Sequence, residues 1–136
     1  MGKGVCLKKG KSIAVLSIGT MAKNVKEAIT LLINSEELGH YDMQFVKPLD
    51  SELLHRIFRS YKAVITVEDG TVVGGFGSSI LSFANTNNYK HPIELMGIKD
   101  EFVEHGSVAQ LRKLQNLDVQ SIKDEIERLL LIVNNC

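Results

Sequence analysis

The sequence of 136 residues lacks the features that mark several classes of protein. Its sixteen basic and sixteen acidic residues cancel, so no basic excess favours binding to nucleic acid. It contains no run of about 18 apolar residues, which a transmembrane helix needs, and no segment with the form of a signal peptide. These absences favour a cytoplasmic protein without nucleic-acid or membrane partners.

Metal-binding and nucleophile signatures are missing as well. The two cysteines, Cys6 and Cys136, stand far apart and form no CxxC motif, so we predict reduced thiols. No GxSxG nucleophile motif is present. The four histidines show no spacing typical of a zinc site; they are His40, His55, His91 and His105. We therefore predict no metal site and no catalytic residue in this chain.

Apolar stretches of alternating strand and helix character predict an α/β fold for residues 1–136 as one domain. Strands are predicted at 5–7, 12–18, 42–46, 63–67 and 92–96, the second of them apolar on both faces. Helices in the intervening segments would cover both faces of a mostly parallel sheet, which makes a three-layer sandwich. The first two strands are predicted to form a hairpin, which supplies one antiparallel strand.

Several local details follow from capping and periodicity. The first helix is predicted to begin at Thr20 and to end at Gly39, and it would bury Val25, Ala28, Ile29, Leu32 and Ile33. Asp50 and Asp118 are predicted caps of two later helices, and Ser107 of a short helix between 107 and 113. On the last helix, the spacing predicts ion pairs Lys123–Glu127 and Asp124–Arg128.

A glycine-rich loop is the most informative segment of the chain. It follows the predicted strand 63–67, leads into a helix ending near Asn85, and consists of Gly74, Gly75, Phe76, Gly77 and Ser78. A dinucleotide fingerprint is incomplete because Ile80 replaces its third glycine, and no P-loop motif occurs. Two interpretations remain, an anion held at the helix N-terminus or close packing against a partner, and we favour packing.

Four charged or titratable residues are further candidates for the site. Glu68 and Asp69 end the predicted strand 63–67, where α/β proteins place their sites, either for acid–base work or magnesium. We favour one acid bonding backbone amides in the turn and the other exposed. His105 in a loop is a candidate proton-transfer group, although a structural role is favoured, and Lys47 is placed to reach an anion or to be solvated.

Four strings in this order resemble one enzyme family. They are Phe45-Val46-Lys47-Pro48-Leu49-Asp50, Thr66-Val67-Glu68-Asp69, Gly74-Gly75-Phe76-Gly77-Ser78 and Phe102-Val103-Glu104-His105-Gly106. Together they are similar to the C-terminal domain of the 1-deoxy-D-xylulose-5-phosphate synthases, which belong to the transketolase superfamily of thiamine diphosphate enzymes. The resemblance covers nearly the whole chain.

The resemblance implies a five-stranded mixed sheet with one antiparallel strand, sandwiched by helices. It also implies a parent transferase that condenses pyruvate and glyceraldehyde 3-phosphate for isoprenoid and thiamine synthesis. Thiamine diphosphate and magnesium would bind in the other domains, because this chain has no Gly-Asp-Gly motif. The chain would then be a non-catalytic fragment or a separately encoded piece, whose partners are the remaining domains in a homodimer.

Under this interpretation the glycine loop, Lys47, Asp50, Glu68, Asp69 and His105 are candidates for contacts between domains or subunits. An anion site at the amides of Gly75, Gly77 and Ser78 stays an alternative, as does a stand-alone anion- or nucleotide-binding module. A third possibility is the C-terminal domain of a pyruvate or branched-chain dehydrogenase beta chain.

Overall fold

A computed structural model describes residues 3–44, 49–71, 75–98 and 118–134. Five strands are present there: β1 (Val5–Lys8), β2 (Ile13–Ser17), β3 (Leu38–Asp42), β4 (Ala63–Thr71) and β5 (Ile93–Ile98). Four α-helices accompany them: α1 (Ala22–Thr30), α2 (Ser51–Ser60), α3 (Phe76–Thr86) and α4 (Val119–Asn134). The strands form one sheet in the order β1-β3-β2-β4-β5.

The sheet separates two hydrophobic layers, as the sequence predicts. Side chains of β2 alternate between the layers, so that Ile13 and Val15 pack with α1 and α4 while Ala14 and Leu16 pack with α2 and α3. All four are fully buried. The strand is therefore apolar on both faces because helices cover both, and the three-layer sandwich is confirmed.

The antiparallel strand is present, but it has a different neighbour from the predicted one. β1 pairs antiparallel with β3, whereas β2 pairs parallel with both β3 and β4, and β4 with β5. A hairpin of β1 with β2 is thus wrong, although one antiparallel strand in a mixed sheet is right. The chain passes from the sheet edge at β1 to the centre at β2 and leaves room for β3 between them.

Helix α1 ends earlier than predicted, and strand β3 lies earlier in the chain than predicted. α1 ends at Thr30, and a short 3-10 helix at Ser35–Glu37 leads directly into β3. Gly39 is therefore a strand residue and not a helix cap. A Cβ atom there would lie 2.2 Å from the Tyr61 hydroxyl, so the glycine is explained by close approach of that ring.

Other local predictions have mixed outcomes. Thr20 lies within a 3-10 helix, Gly19–Met21, and the N-cap position of α1 is taken by Met21, while Ile33 is fully exposed because α1 has already ended. Asp118 accepts a hydrogen bond from Ser121 N at 2.7 Å, which holds the pKa of its carboxyl below the usual range and confirms the cap. The predicted helix at 107–113 lies outside the described residues.

One of the two ion pairs predicted on α4 is present, and the other is not. Lys123 Nζ lies 3.2 Å from Glu127 Oε1, as the i, i+4 spacing indicates. Arg128 instead pairs with Glu125 on its own helix and, at 2.7 Å, with Glu94 of β5. The predicted pair of Asp124 with Arg128 is wrong because a tertiary partner and a closer acid take the guanidinium.

Candidate interface site at the start of helix α3

Strand β4 continues beyond the predicted end at Val67 and carries Glu68 in an irregular stretch. Val67 pairs with Met96 and Thr71 with Ile98, so four steps along β4 match two along β5. Two extra residues therefore loop out of register between these pairs. Glu68 and the backbone of Asp69 fall in this stretch, inside the strand and not in a turn that follows it.

The Glu68 carboxylate lies at the N-terminus of α3. Its side chain is 4% exposed, and Phe76 N donates a hydrogen bond of 2.7 Å to Glu68 Oε2. The first amides of a helix have no partner within the helix, and the helix dipole favours a negative charge beside them. One position at which an external anion would bind is thus occupied by a carboxylate of the chain itself.

Gly77 brings α3 close to the sheet. A Cβ atom at this position would lie 3.0 Å from both Thr66 Oγ1 and Leu95 Cδ2, which is tighter than ordinary packing. Thr66 is fully buried, and its hydroxyl makes no hydrogen bond within the described residues. We call Thr66, Glu68, Phe76 and Gly77 the Glu68 junction; it is a place of close helix–sheet packing.

Asp50 makes a second set of contacts between parts of the chain. Its Oδ1 accepts from Leu53 N at 3.2 Å, which confirms the predicted cap of α2. Its Oδ2 accepts from Gly4 N at 2.9 Å and so ties the segment before β1 to α2. Both carboxylate oxygens are therefore used within the domain.

The structure describes some of the remaining predicted site residues and not others. Gly75 precedes α3, and Ser78 lies partly buried in the first turn, next to the Glu68 junction. Gly74, Lys47 and His105 lie outside the described residues, and for Asp69 only the backbone is described. The structure thus brings together five predicted residues, Glu68, Gly75, Phe76, Gly77 and Ser78. The roles of Gly74, Lys47, Asp69 and His105 stay predictions.

A buried polar pair was missed by sequence reasoning. Ser17 at the end of β2 is fully buried, and its Oγ lies 2.8 Å from Nε2 of His40, which is 2% exposed. Burial lowers the pKa of His40 to about 4; the Asp42 carboxylate opposes this shift, and Lys26 adds to it. His40 is therefore neutral at pH 7. Only a correct placement of β3 would have revealed the pair.

The described residues do not offer a metal site. Within residues 3–44, 49–71, 75–98 and 118–134, no group of three or more His, Cys, Asp and Glu side chains is arranged to hold an ion. In the same part of the chain, no helix combines the length and apolar character needed to cross a membrane.

Comparison with known proteins identifies the family. A family model for the transketolase C-terminal domain matches residues 2–122. The chain belongs to the transketolase C-terminal domain family. The five-stranded mixed sheet and its two helical layers are therefore the fold of a known domain.

Curated relatives of this family member are synthases. The 1-deoxy-D-xylulose-5-phosphate synthase of Azobacteroides pseudotrichonymphae is 46% identical over 126 residues, which are 90% of this chain and 20% of that protein. The synthase of Cytophaga hutchinsonii is 47% identical over 131 residues, 95% of this chain and 20% of that protein. The chain thus spans about a fifth of the length of these relatives.

A solved structure has the same fold. A split gene transketolase, described as an inactive beta4 tetramer, superposes with a TM-score of 0.79 at 30% sequence identity. The match covers 93% of this chain and 42% of that protein. In that protein too, the matched fold is only part of the chain.

Proposed function

We propose that this chain is the C-terminal domain of a 1-deoxy-D-xylulose-5-phosphate synthase and packs against the catalytic domains without taking part in the chemistry. The observation that carries the proposal is identity of 46% over 90% of the chain to a synthase of which the matched residues make up 20%. The parent enzyme would condense pyruvate with glyceraldehyde 3-phosphate and supply isoprenoid precursors.

The contacts within the domain support a non-catalytic role. Ser17 and His40 resemble a nucleophile and its base, but a fully buried hydroxyl cannot reach a substrate. Glu68 is engaged by Phe76 N, and Asp50 by Gly4 N and Leu53 N. These polar groups stabilise the fold.

Neither the sequence nor the described residues give support for a thiamine diphosphate or magnesium site in this chain. The chain has no Gly-Asp-Gly motif, and the described residues supply no set of metal ligands. We place both cofactors in the other domains of the parent enzyme. The partners would be those domains in a cytoplasmic homodimer, with the segment 74–78 at the contact.

Two alternatives have less support. A stand-alone anion- or nucleotide-binding module would use the first amides of α3, but Phe76 N already donates to Glu68. The beta chain of a pyruvate or branched-chain dehydrogenase would share the fold, whereas the curated relatives described above are synthases.

A reconstitution experiment tests the proposal. The chain is mixed with a protein comprising the first two domains of a synthase relative, thiamine diphosphate and Mg²⁺, and complex size and product formation are measured. We expect a mixed complex with synthase activity and no turnover by the chain alone. Turnover by the chain alone would overturn the non-catalytic role, and absence of any complex would overturn the packing role.

A matched pair of variants locates the contact. Ser78 is partly buried in the first turn of α3, and Ser82 lies one turn further along the helix and is exposed. We expect Ser78→Arg to prevent the complex and Ser82→Arg to leave it intact, with circular dichroism confirming that both fold. Equal behaviour of the two variants would move the contact away from the start of α3.

A further inference from the structure

A cavity of about 420 Å³ opens beside β1 and β3, on the face of the sheet that α1 covers. Leu7 and Ile29 supply apolar walls, and Lys8, Lys26, Thr30, Ser35 and His40 complete the lining. Ligand sites are commonly concave pockets of about 300–1,000 Å³ with apolar walls and a few polar groups. We call this space the His40 cavity; it has the size and wall composition of a small-molecule site.

Two ammonium groups give the His40 cavity a positive charge. Lys8 Nζ donates to Ser35 O at 2.7 Å and to Leu38 O at 2.8 Å, and it makes no salt bridge within the described residues. Lys26 makes no salt bridge within the described residues, and its charge acts on His40. No carboxylate is among the lining residues, although Asp42 lies near enough to influence His40.

The buried ring of His40 adds a directed polar group. Ser17 is fully buried among apolar side chains, and the hydrogen bond recorded for its hydroxyl is the one to His40 Nε2. A buried O–H left without an acceptor is costly, so Ser17 is expected to donate and Nε2 to accept. The proton of the neutral ring is then on Nδ1, for which the described residues supply no hydrogen-bond acceptor.

We propose that the His40 cavity binds a small organic anion, a phosphate or carboxylate attached to a short apolar group. The ammonium of Lys26 and the Nδ1–H of His40 are donors for the anionic head, and Leu7 and Ile29 are contacts for the apolar part. The lining residues that the structure describes include no carboxylate to repel an anion, and the Asp42 charge acts on His40 from outside the lining. This site is separate from the Glu68 junction, and the proposal does not depend on the proposed parent enzyme.

Backbone amide NMR of the chain tests the proposal with four probes. Phenyl phosphate and hexanoate supply the two head groups, and phenol and hexanol are their neutral counterparts. We expect saturable shifts at Ile29, Thr30 and Ser35 with at least one anion, and weaker binding of its neutral counterpart. Tighter binding of phenyl phosphate would indicate a phosphate head group, and tighter binding of hexanoate a carboxylate. No saturable binding by either anion, or shifts confined to Phe76–Ser78, would overturn the proposal.

A pair of lysine variants makes the test specific. Lys26→Met keeps an apolar stem but removes the charge, and it should weaken binding of the anion about fivefold while leaving the neutral probe unaffected. Lys90 lines a different cavity beside β5 and is exposed, so Lys90→Met should leave binding unchanged. Equal affinity of the Lys26 variant and the unmodified chain would overturn the assignment of Lys26 to the head group.

Discussion

The Glu68 junction and the His40 cavity lie on the two sides of strand β2, and they use buried polar groups in opposite ways. Ser17 of β2 pairs with Asp42 of β3 on one side and with Val67 of β4 on the other. Next to Val67, the Glu68 carboxylate is held by an amide of α3, and a Cβ atom at Gly77 would be crowded by Thr66 and Leu95. On the other side, His40 is fixed at one nitrogen and lines an open cavity.

The comparison separates packing chemistry from binding chemistry. A glycine-rich loop before a helix is typical of an anion site, yet here the chain supplies its own carboxylate to one of the first amides. The cavity beside α1 has no glycine signature, but it combines lysines with a buried neutral imidazole. The region with the more conspicuous sequence is therefore the more closed of the two.

Removal of the Glu68 side chain should have the largest effect. Glu68→Ala leaves Phe76 N without its acceptor and creates a void, so we expect a loss of about 3 kcal/mol in the free energy of unfolding. Glu68→Gln retains an acceptor oxygen and should cost about 1 kcal/mol. Urea unfolding followed by circular dichroism measures both. Equal losses in the two variants would show that the acceptor at Phe76 N contributes little.

The His40 ring should make folding stability depend on pH. Burial lowers its folded-state pKa to about 4, below the unfolded value of about 6.5. The contribution of neutral His40 to the free energy of unfolding is therefore fully present above pH 6.5. It is lost as pH falls towards 4, because the unfolded chain takes up the proton first. Between about pH 7 and 4.5 we expect a loss of about 2 kcal/mol from this group.

Two variants isolate that pH dependence from the titration of carboxylates. His40→Gln should remove about 2 kcal/mol of the pH-dependent loss, measured by urea unfolding at several pH values. His91, which donates through Nε2 to Phe58 O, is the control, and His91→Gln should retain the dependence. If the free energy of unfolding falls equally with pH in both variants and in the unmodified chain, His40 does not cause the pH dependence.

The sequence predicts the layers of this fold better than its edges. The central strand β2 is apolar on both faces, and the caps Asp50 and Asp118 depend only on neighbouring residues, so these features could be found from local patterns. Strand β3 could not, because Gly39 looks like a helix cap until Tyr61 is brought against it by the fold. The misplacement of β3 also concealed His40.

The Glu68 junction could be predicted from local sequence, whereas the His40 cavity could not. Glu68 and the glycine-rich loop lie close together in the sequence, so a carboxylate bonded to a nearby backbone amide could be predicted, although the amide is that of Phe76 in α3 and not one of the turn. The His40 cavity combines residues of β1, α1, the 3-10 helix Ser35–Glu37 and β3, and it also depends on the pairing of β1 with β3. A site assembled from four elements cannot be read from spacing along the chain.

Substitution of Gly77 should have an intermediate effect and sharpen the description of the Glu68 junction. In Gly77→Ala, the new methyl meets Thr66 Oγ1 on a buried strand, so we expect a loss of about 1 kcal/mol despite the better helix propensity of alanine. Thr66→Ala removes the obstructing hydroxyl. The double variant should therefore recover stability in a double-mutant cycle, whereas additive effects would place the strain elsewhere. Ser82→Ala on the exposed face should be nearly neutral.

The smallest expected effect is that of Lys26→Met on the unliganded domain. Lys26 is exposed and makes no salt bridge within the described residues, so the free energy of unfolding should change by less than about 0.5 kcal/mol. Burial dominates the low pKa of His40, and the Lys26 charge lowers it further. The pKa of the ring should therefore rise slightly in the variant, which NMR titration of the imidazole measures. A falling or unchanged pKa would show that the ammonium does not act across the cavity. A rise with unaltered stability would mean that this charge, unlike the Glu68 carboxylate, is not needed for folding and is free to act on a ligand.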